Sequence, residues 1–426
     1  MALRPGSFGR LLTLVLLACA CVDAQAAEIR VPAETGALAR ALAEAQDGDV
    51  LRLLPGRHQG PIRIEKPLTL DGGGLAAVDG DGRGSVITVA APDVAVRGLT
   101  VSGSGSSADT RDSGIMLLKT AARARVTGNR LVGNLIGVDI HGANDAYVGA
   151  NVIEGRRDHR MNSRGNGVYV WNAPGSKVVG NDIRWGRDGI FVNTSQRNEF
   201  RGNRFRDLRF AVHYMYANDS VVADNVSIGN HLGYAVMFSR NVTITGNLSS
   251  GDRDYGIMLN YANDSRVTGN RIQAVGDRCV FIYNAHKNRL SGNRFEGCGI
   301  GVHFTAGSER NDITGNAFIG NRTQVKYVGT RWLDWSAEGR GNYWSDNAAF
   351  DLDGDGIADS VYRPNDTMDR VLWSQPSARL LLGSPAVQLI RWSHSAFPAL
   401  LPGGVVDRHP LMQPVEPDLP DWRAPS

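Results

Sequence analysis

Along the middle of the chain a small residue repeatedly opens a short alternating run. Examples are Gly114-Ile115-Met116-Leu117, Gly137-Val138-Asp139-Ile140, Gly167-Val168-Tyr169-Val170 and Gly189-Ile190-Phe191-Val192. The same form continues as Ala211-Val212-His213-Tyr214, Ala235-Val236-Met237-Phe238, Gly256-Ile257-Met258-Leu259, Cys279-Val280-Phe281-Ile282 and Gly301-Val302-His303-Phe304. The second and fourth positions are apolar or aromatic throughout. A period of two is that of a strand with one face buried.

A second pattern rides on the first. Asparagines at 129, 151, 181, 203, 225, 247, 270, 293 and 316 succeed one another at intervals of 22, 30, 22, 22, 22, 23, 23 and 23. A fixed period of this size predicts a repeat architecture, one coil per repeat. The all-β fold expected is a right-handed parallel β-helix, with the asparagines as an internal ladder at one turn of each coil. The 30-residue interval predicts a loop inserted near 156–164. Residues 36–45 are rich in Ala and Leu and predict a short helix capping the N-terminal end. The period stops near Asn342, and the remainder of the chain predicts an irregular, partly helical C-terminal segment. The division expected is 1–26 as a signal peptide, 27–345 as the capped β-helix, and 346–426 as an Asp-rich loop with a partner-docking tail.

Composition narrows the class. With 426 residues, 42% hydrophobic and 21% charged, the chain has ample material for a core. Four cysteines are too few for a disulfide scaffold. A net charge of +3 without a basic stripe argues against a nucleic-acid partner. Arg4 and Arg10 precede an apolar run over 11–22 and then Ala24-Gln25-Ala26, which predicts export and cleavage after Ala26. The stretch ending at Cys19 loosely resembles a lipoprotein site. Cys279 and Cys298 remain after cleavage. They read either as an export-compartment disulfide or as two buried thiols.

The side chains expected to face outward are unusual. The third position down the stack reads Met116, Asp139, Tyr169, Phe191, His213, Met237, Met258, Phe281 and His303, and the fifth includes His141, Trp171, Met215 and Tyr283. A solvated strand face would carry Thr, Ser, Lys and Glu. An apolar stripe of this length implies a covering partner. It also offers soft ligands. His213, Met237 and Met258 are expected in one column on consecutive coils, with Met215 beside His213 and His303 further along. Thioether and imidazole without carboxylate favour Cu(I). His159 and Met161 in the inserted loop form a weaker second pair.

A separate loop carries Asp351, Asp353, Asp355 and Asp359 at alternate positions, with Gly356 at the sixth. Hard oxygen ligands in that spacing suit Ca²⁺, although the bidentate Glu of an EF-hand is replaced by Tyr362. Asp366 is a further candidate ligand. No phosphate-binding GxxxxGK[ST] loop, GxSxG elbow or HExxH helix is present. A β-helix polysaccharide lyase or epimerase is the enzyme alternative, and a metal-free docking scaffold is the third.

Three stretches carry a resemblance: the Gly-Asn coils, Gly341-Asn342-Tyr343-Trp344-Ser345-Asp346 with the nearby FDLDGDGIADSVYR, and the tail Val406-Asp407-Arg408-His409-Pro410-Leu411-Met412. Over the whole mature chain they resemble the periplasmic NosD family of nitrous oxide reductase maturation, with β-helix repeats of the carbohydrate-binding and sugar-hydrolase type. The resemblance implies an accessory protein without catalytic activity. Its implied partners are an ABC-type ATPase, a membrane permease, a copper-chaperone lipoprotein and nitrous oxide reductase, whose copper–sulfur centres it helps assemble. It also implies that the chain sits in the periplasm, peripheral to the inner membrane. The segments 380–392 and 397–406 are then expected to meet the permease.

Overall fold

A computed structural model describes residues 26–157, 160–305, 307–365, 371, 375–381, 384–396 and 403–419. The expected signal peptide lies outside these residues, apart from its last position, as do His159 and Asp366. Short strands recur with the period of the sequence and pair in parallel with the same strand of the next coil. Each regular coil has three of them, as in Ile136–His141, Tyr147–Gly149 and Val152–Glu154. The longest strand of each coil stacks into one twelve-stranded parallel sheet, running from Ile62–Ile64 to Thr323–Val328. The two shorter strands build the remaining faces. The fold is a parallel β-helix.

Inward positions are filled by Val, Ile, Leu and Phe stacked coil on coil, such as Val138, Val168, Ile190 and Val212, all at most 1% exposed. The asparagines form the expected ladder. Asn203 Nδ2 donates to Asn225 Oδ1 at 3.0 Å, Asn225 to Asn247 at 2.9 Å and Asn247 to Asn270 at 2.9 Å. The ladder runs unbroken from Asn129 to Asn342. The Asn151–Asn181 rung survives the eight extra residues at 2.9 Å, so the insertion is looped out with a 3-10 turn at Met161–Ser163.

Both ends are closed. The helix Ala37–Glu44 buries Ala37 and Leu38 over the first coil, and Lys66 Nζ donates to the carbonyls of Ala43 and Ala45 at its C-terminal end. At the other end Trp335 and Trp344 are buried against Phe318, with the Trp344 ring stacked 4.3 Å from it. Asp407, from the tail motif, has no exposed surface. It accepts from Asn342 N at 2.7 Å and from Trp344 Nε1 at 2.8 Å. The tail is thus the C-terminal cap of the solenoid. Of the stretch 397–406 expected to meet the permease, 397–402 lie outside the described residues, and Gly404–Val406 is a buried strand paired with Trp332–Asp334.

Cys279 and Cys298 are joined in a disulfide, with their Cα atoms 5.7 Å apart. Among the described residues no helix is long and apolar enough to cross a membrane.

Candidate metal-binding face

The twelve-stranded sheet turns its alternate residues outward in columns. One column reads Phe191, His213, Ala235, Met258, Phe281, His303 and Lys326. The next reads Asn193, Met215, Met237, Asn260 and Tyr283. The expected single column of His213, Met237 and Met258 is therefore corrected. Met237 stands beside Met215, and Ala235 fills the place between His213 and Met258. The reason is local. Gly233, not Ala235, is the small residue of that coil, since a Cβ there would lie 2.5 Å from the Gly256 carbonyl oxygen. Tyr234 then turns inward, where its hydroxyl lies 2.9 Å from the carbonyl oxygens of both Asn225 and Leu248. A tyrosine carrying its own polar tip into the core moves the apparent register by two residues.

The observed register makes a tighter group. His213 and Met258 flank Ala235 along one column, two strand spacings of about 4.8 Å apart. Met215 and Met237 are adjacent in the neighbouring column, and Met237 is two residues from Ala235 on the same strand. Ala235 is the floor, only 1% exposed although it faces outward. His303 is left out of this group. It sits four strand spacings from His213, about 19 Å, too far to share an ion.

Asp188, unnoticed in the sequence, orients His213. His213 Nδ1 lies 3.3 Å from Asp188 Oδ2, and Arg209 binds the same carboxylate through Nε at 2.8 Å and Nη2 at 2.7 Å. Burial pushes the Asp188 carboxyl up, but the hydrogen bonds from His213 and Arg209 and the charges of Arg209 and Arg187 outweigh it and hold it below the usual range. The imidazole is fixed between the Phe191 ring, stacked at 4.8 Å, and the Phe210 ring, edge-on at 4.7 Å. His213 Nε2 is buried and has no hydrogen-bond partner. A carboxylate on one nitrogen with the other nitrogen open is the arrangement that prepares a histidine for a metal.

His303 has the opposite surroundings. Burial, then the charges of Arg278 and Lys326, push it down to about 4, so it is neutral at physiological pH. Neutral imidazole can ligate, but two neighbouring cations oppose bringing a third. Beside the methionines a line of exposed aromatics also went unread in the sequence: Tyr216, Phe238 and Tyr261 stack at 5.3 and 5.2 Å. All three hold φ near +50°, a region bulky residues rarely occupy.

In the Asp-rich loop, ligand oxygens of Asp351, Asp353 and Asp355 lie within 4.8 Å of one another. Asp351 also accepts from Gly356 N at 2.8 Å and Gly354 N at 2.7 Å. Asp359 does not join the three. Its Oδ2 accepts from Leu352 N at 2.7 Å instead.

Fold and face together define a parallel β-helix with histidine and methionine gathered on its outer sheet. Residues 149–349 match the family described as "Periplasmic copper-binding protein (NosD)". The chain is 42% identical over 390 residues to the "Probable ABC transporter binding protein NosD" of Stutzerimonas stutzeri, covering 88% of this chain and 89% of that one. It is 43% identical to the Pseudomonas aeruginosa protein of the same name, covering 88% and 93%. The chain belongs to the NosD family. Among solved structures, the family 28 exopolygalacturonase of Yersinia enterocolitica aligns over 72% of this chain and 77% of its own with a TM-score of 0.50. At 12% identity that likeness is one of fold alone.

Proposed function

We propose that the chain binds Cu(I) as cargo around Ala235, through His213, Met215, Met237 and Met258, and presents it for assembly of the copper–sulfur centres of nitrous oxide reductase. The carrying observation is the His213–Asp188 pair with an unpartnered Nε2, on a face where the register brings Met215, Met237 and Met258 onto the same and neighbouring strands. Thioethers are soft and neutral, so they hold Cu(I) without the charge that would make release slow. In this reading the copper-chaperone lipoprotein delivers the ion, and an ABC-type ATPase and permease move the complex. The description of the family as periplasmic and copper-binding, and the naming of both relatives as ABC transporter binding proteins, support it. The chain itself acts as a binding protein rather than an enzyme. His303 serves as a separate, weaker position along the same face. The exposed aromatic line beside Met215 and Met237 offers the docking surface for the copper donor. The three clustered aspartates of the Asp-rich loop take a structural Ca²⁺.

Anaerobic Cu(I) competition titration of residues 27–426 tests the copper reading. The wild type is expected to bind about one equivalent at this group. A Met215/Met237/Met258→Leu variant should lose it, whereas His303→Ala should not. Undiminished binding in the triple variant would overturn the site. A rise in melting temperature on adding Ca²⁺, removed by Asp351→Asn, checks the aspartate loop.

A further inference from the structure

A second cluster lies on the same outward face, on the coils just N-terminal to His213. There residues 162–166, at the end of the inserted loop, border a pocket of about 290 Å³ beside the strands. Arg111, Ser163, Asn166, Tyr169, Arg187 and Phe191 line it. Asp139, with no exposed surface, packs against Arg111, whose Nε is 3.3 Å from Asp139 Oδ2.

The hydrogen bonding of this pocket is unfinished. Asn166 Oδ1 is buried without a hydrogen-bond partner, and the Nε atoms of Arg111 and Arg187 make ion contacts to Asp139 and Asp188, at 3.3 and 3.5 Å, rather than hydrogen bonds. Asn166 is only 6% exposed. Leaving a buried polar group unpaired costs on the order of 1–3 kcal/mol, so the Asn166 oxygen marks a place for a ligand's hydroxyl donor. Arg111 and Arg187 present guanidinium groups to the pocket, which suit an anion, and the amide oxygen accepts from a hydroxyl. The Tyr169 and Phe191 rings, stacked at 5.4 Å, add an apolar wall.

We propose that this pocket binds a small hydroxylated carboxylate, of the sugar-acid or hydroxy-acid class. Its carboxylate meets Arg111 and Arg187, a hydroxyl meets Asn166, and its carbon skeleton lies on the aromatic wall. The volume is at the lower end for small-molecule sites and holds about one such unit. Arg is suited to the charged end because its planar fork matches a carboxylate. None of His213, Met215, Met237 and Met258 lines the pocket, although Phe191 stacks on His213 and Arg187 contacts Asp188, so the two sites share a wall.

Isothermal titration of residues 27–426 with D-galacturonate, D-galactose and acetate tests this. Saturable galacturonate binding is expected, with galactose and acetate each weaker by about tenfold or more. Arg111→Gln and Asn166→Leu should each weaken galacturonate by about tenfold, whereas Met215/Met237/Met258→Leu should leave it unchanged. Thermal unfolding run alongside shows which variants are folded. If Arg111→Gln does not fold, the neutral Asn166→Leu decides. Acetate binding as tightly as galacturonate would reduce the pocket to a simple anion trap and overturn the proposal. So would the absence of saturable binding, or a folded Asn166→Leu that binds like the wild type.

Discussion

At position 235 an alanine replaces the large residues found above and below it in its column. Any larger side chain would fill the space between His213 and Met258. Ala235→Phe is therefore expected to abolish Cu(I) binding while leaving the coils paired, which circular dichroism and the Cu(I) titration together would show. Asp139 makes a prediction of its own. Its pKa is raised from 3.8 to about 7 by burial, partly offset by Arg111. A raised carboxyl favours the folded state while protonated, and that contribution is lost as pH rises from about 4 through about 7. Asp139→Asn, which mimics the protonated form, should match the wild type in melting temperature at pH 4 and exceed it at pH 8. A difference that is constant with pH would refute the assignment.

Among the elements, the asparagine ladder holds the coils in register. Each side chain accepts from the preceding asparagine's backbone and side-chain N–H groups, as Asn247 Oδ1 does for Asn225 N at 3.0 Å and Nδ2 at 2.9 Å. Asn247→Ala strands both donors in the core and should cost about 2–4 kcal/mol in denaturant unfolding. Asp407 plays the corresponding part at the C-terminal end, where Gly341 leaves it no room for displacement: a Cβ there would come within 1.8 Å of Asp407 Oδ1. Burial pushes this carboxyl up against the hydrogen bonds from Asn342 and Trp344. Asp407→Ala should free the tail from the last coil, seen as faster hydrogen exchange over 341–345 with the central coils unchanged. The ladder and the cap helix were legible in the sequence because each is a local pattern, the ladder at fixed spacing and the helix in one Ala/Leu-rich run. The role of Asp407 was not, because its partners lie more than sixty residues away.

For the whole molecule, the helix Pro385–Ala396 stands out for the apolar surface it leaves open to solvent. Leu389 and Trp392 are 63% and 62% exposed on it, and Leu380 just before it is 91% exposed. An apolar surface of this kind fits the expected contact with a membrane permease. Leu389→Glu with Trp392→Glu should leave the solenoid's unfolding and its Cu(I) titration unchanged. The same change should abolish co-purification with the permease and ATPase. Retained co-purification would place the contact elsewhere.

The sequence by itself determined the parallel β-helix, because strand alternation repeated at a 22- to 23-residue period stacks each strand on its counterpart in the next coil. It also determined that the outer sheet would be rich in histidine, methionine and aromatic rings. Which of those residues meet was decided only by the tertiary structure. Register turns on one small residue per coil, and with both Gly233 and Ala235 in the same run, only packing against Gly256 chooses between them. The same holds for Asp188 beneath His213, for the disulfide between Cys279 and Cys298, and for the pocket beside the inserted loop. The Asp188–His213 pair and the pocket join residues on different coils, and the disulfide joins two ends of one coil nineteen residues apart; the physical reason is common to all: a repeat specifies how a coil stacks, whereas a site depends on which side chains the folded coils bring face to face.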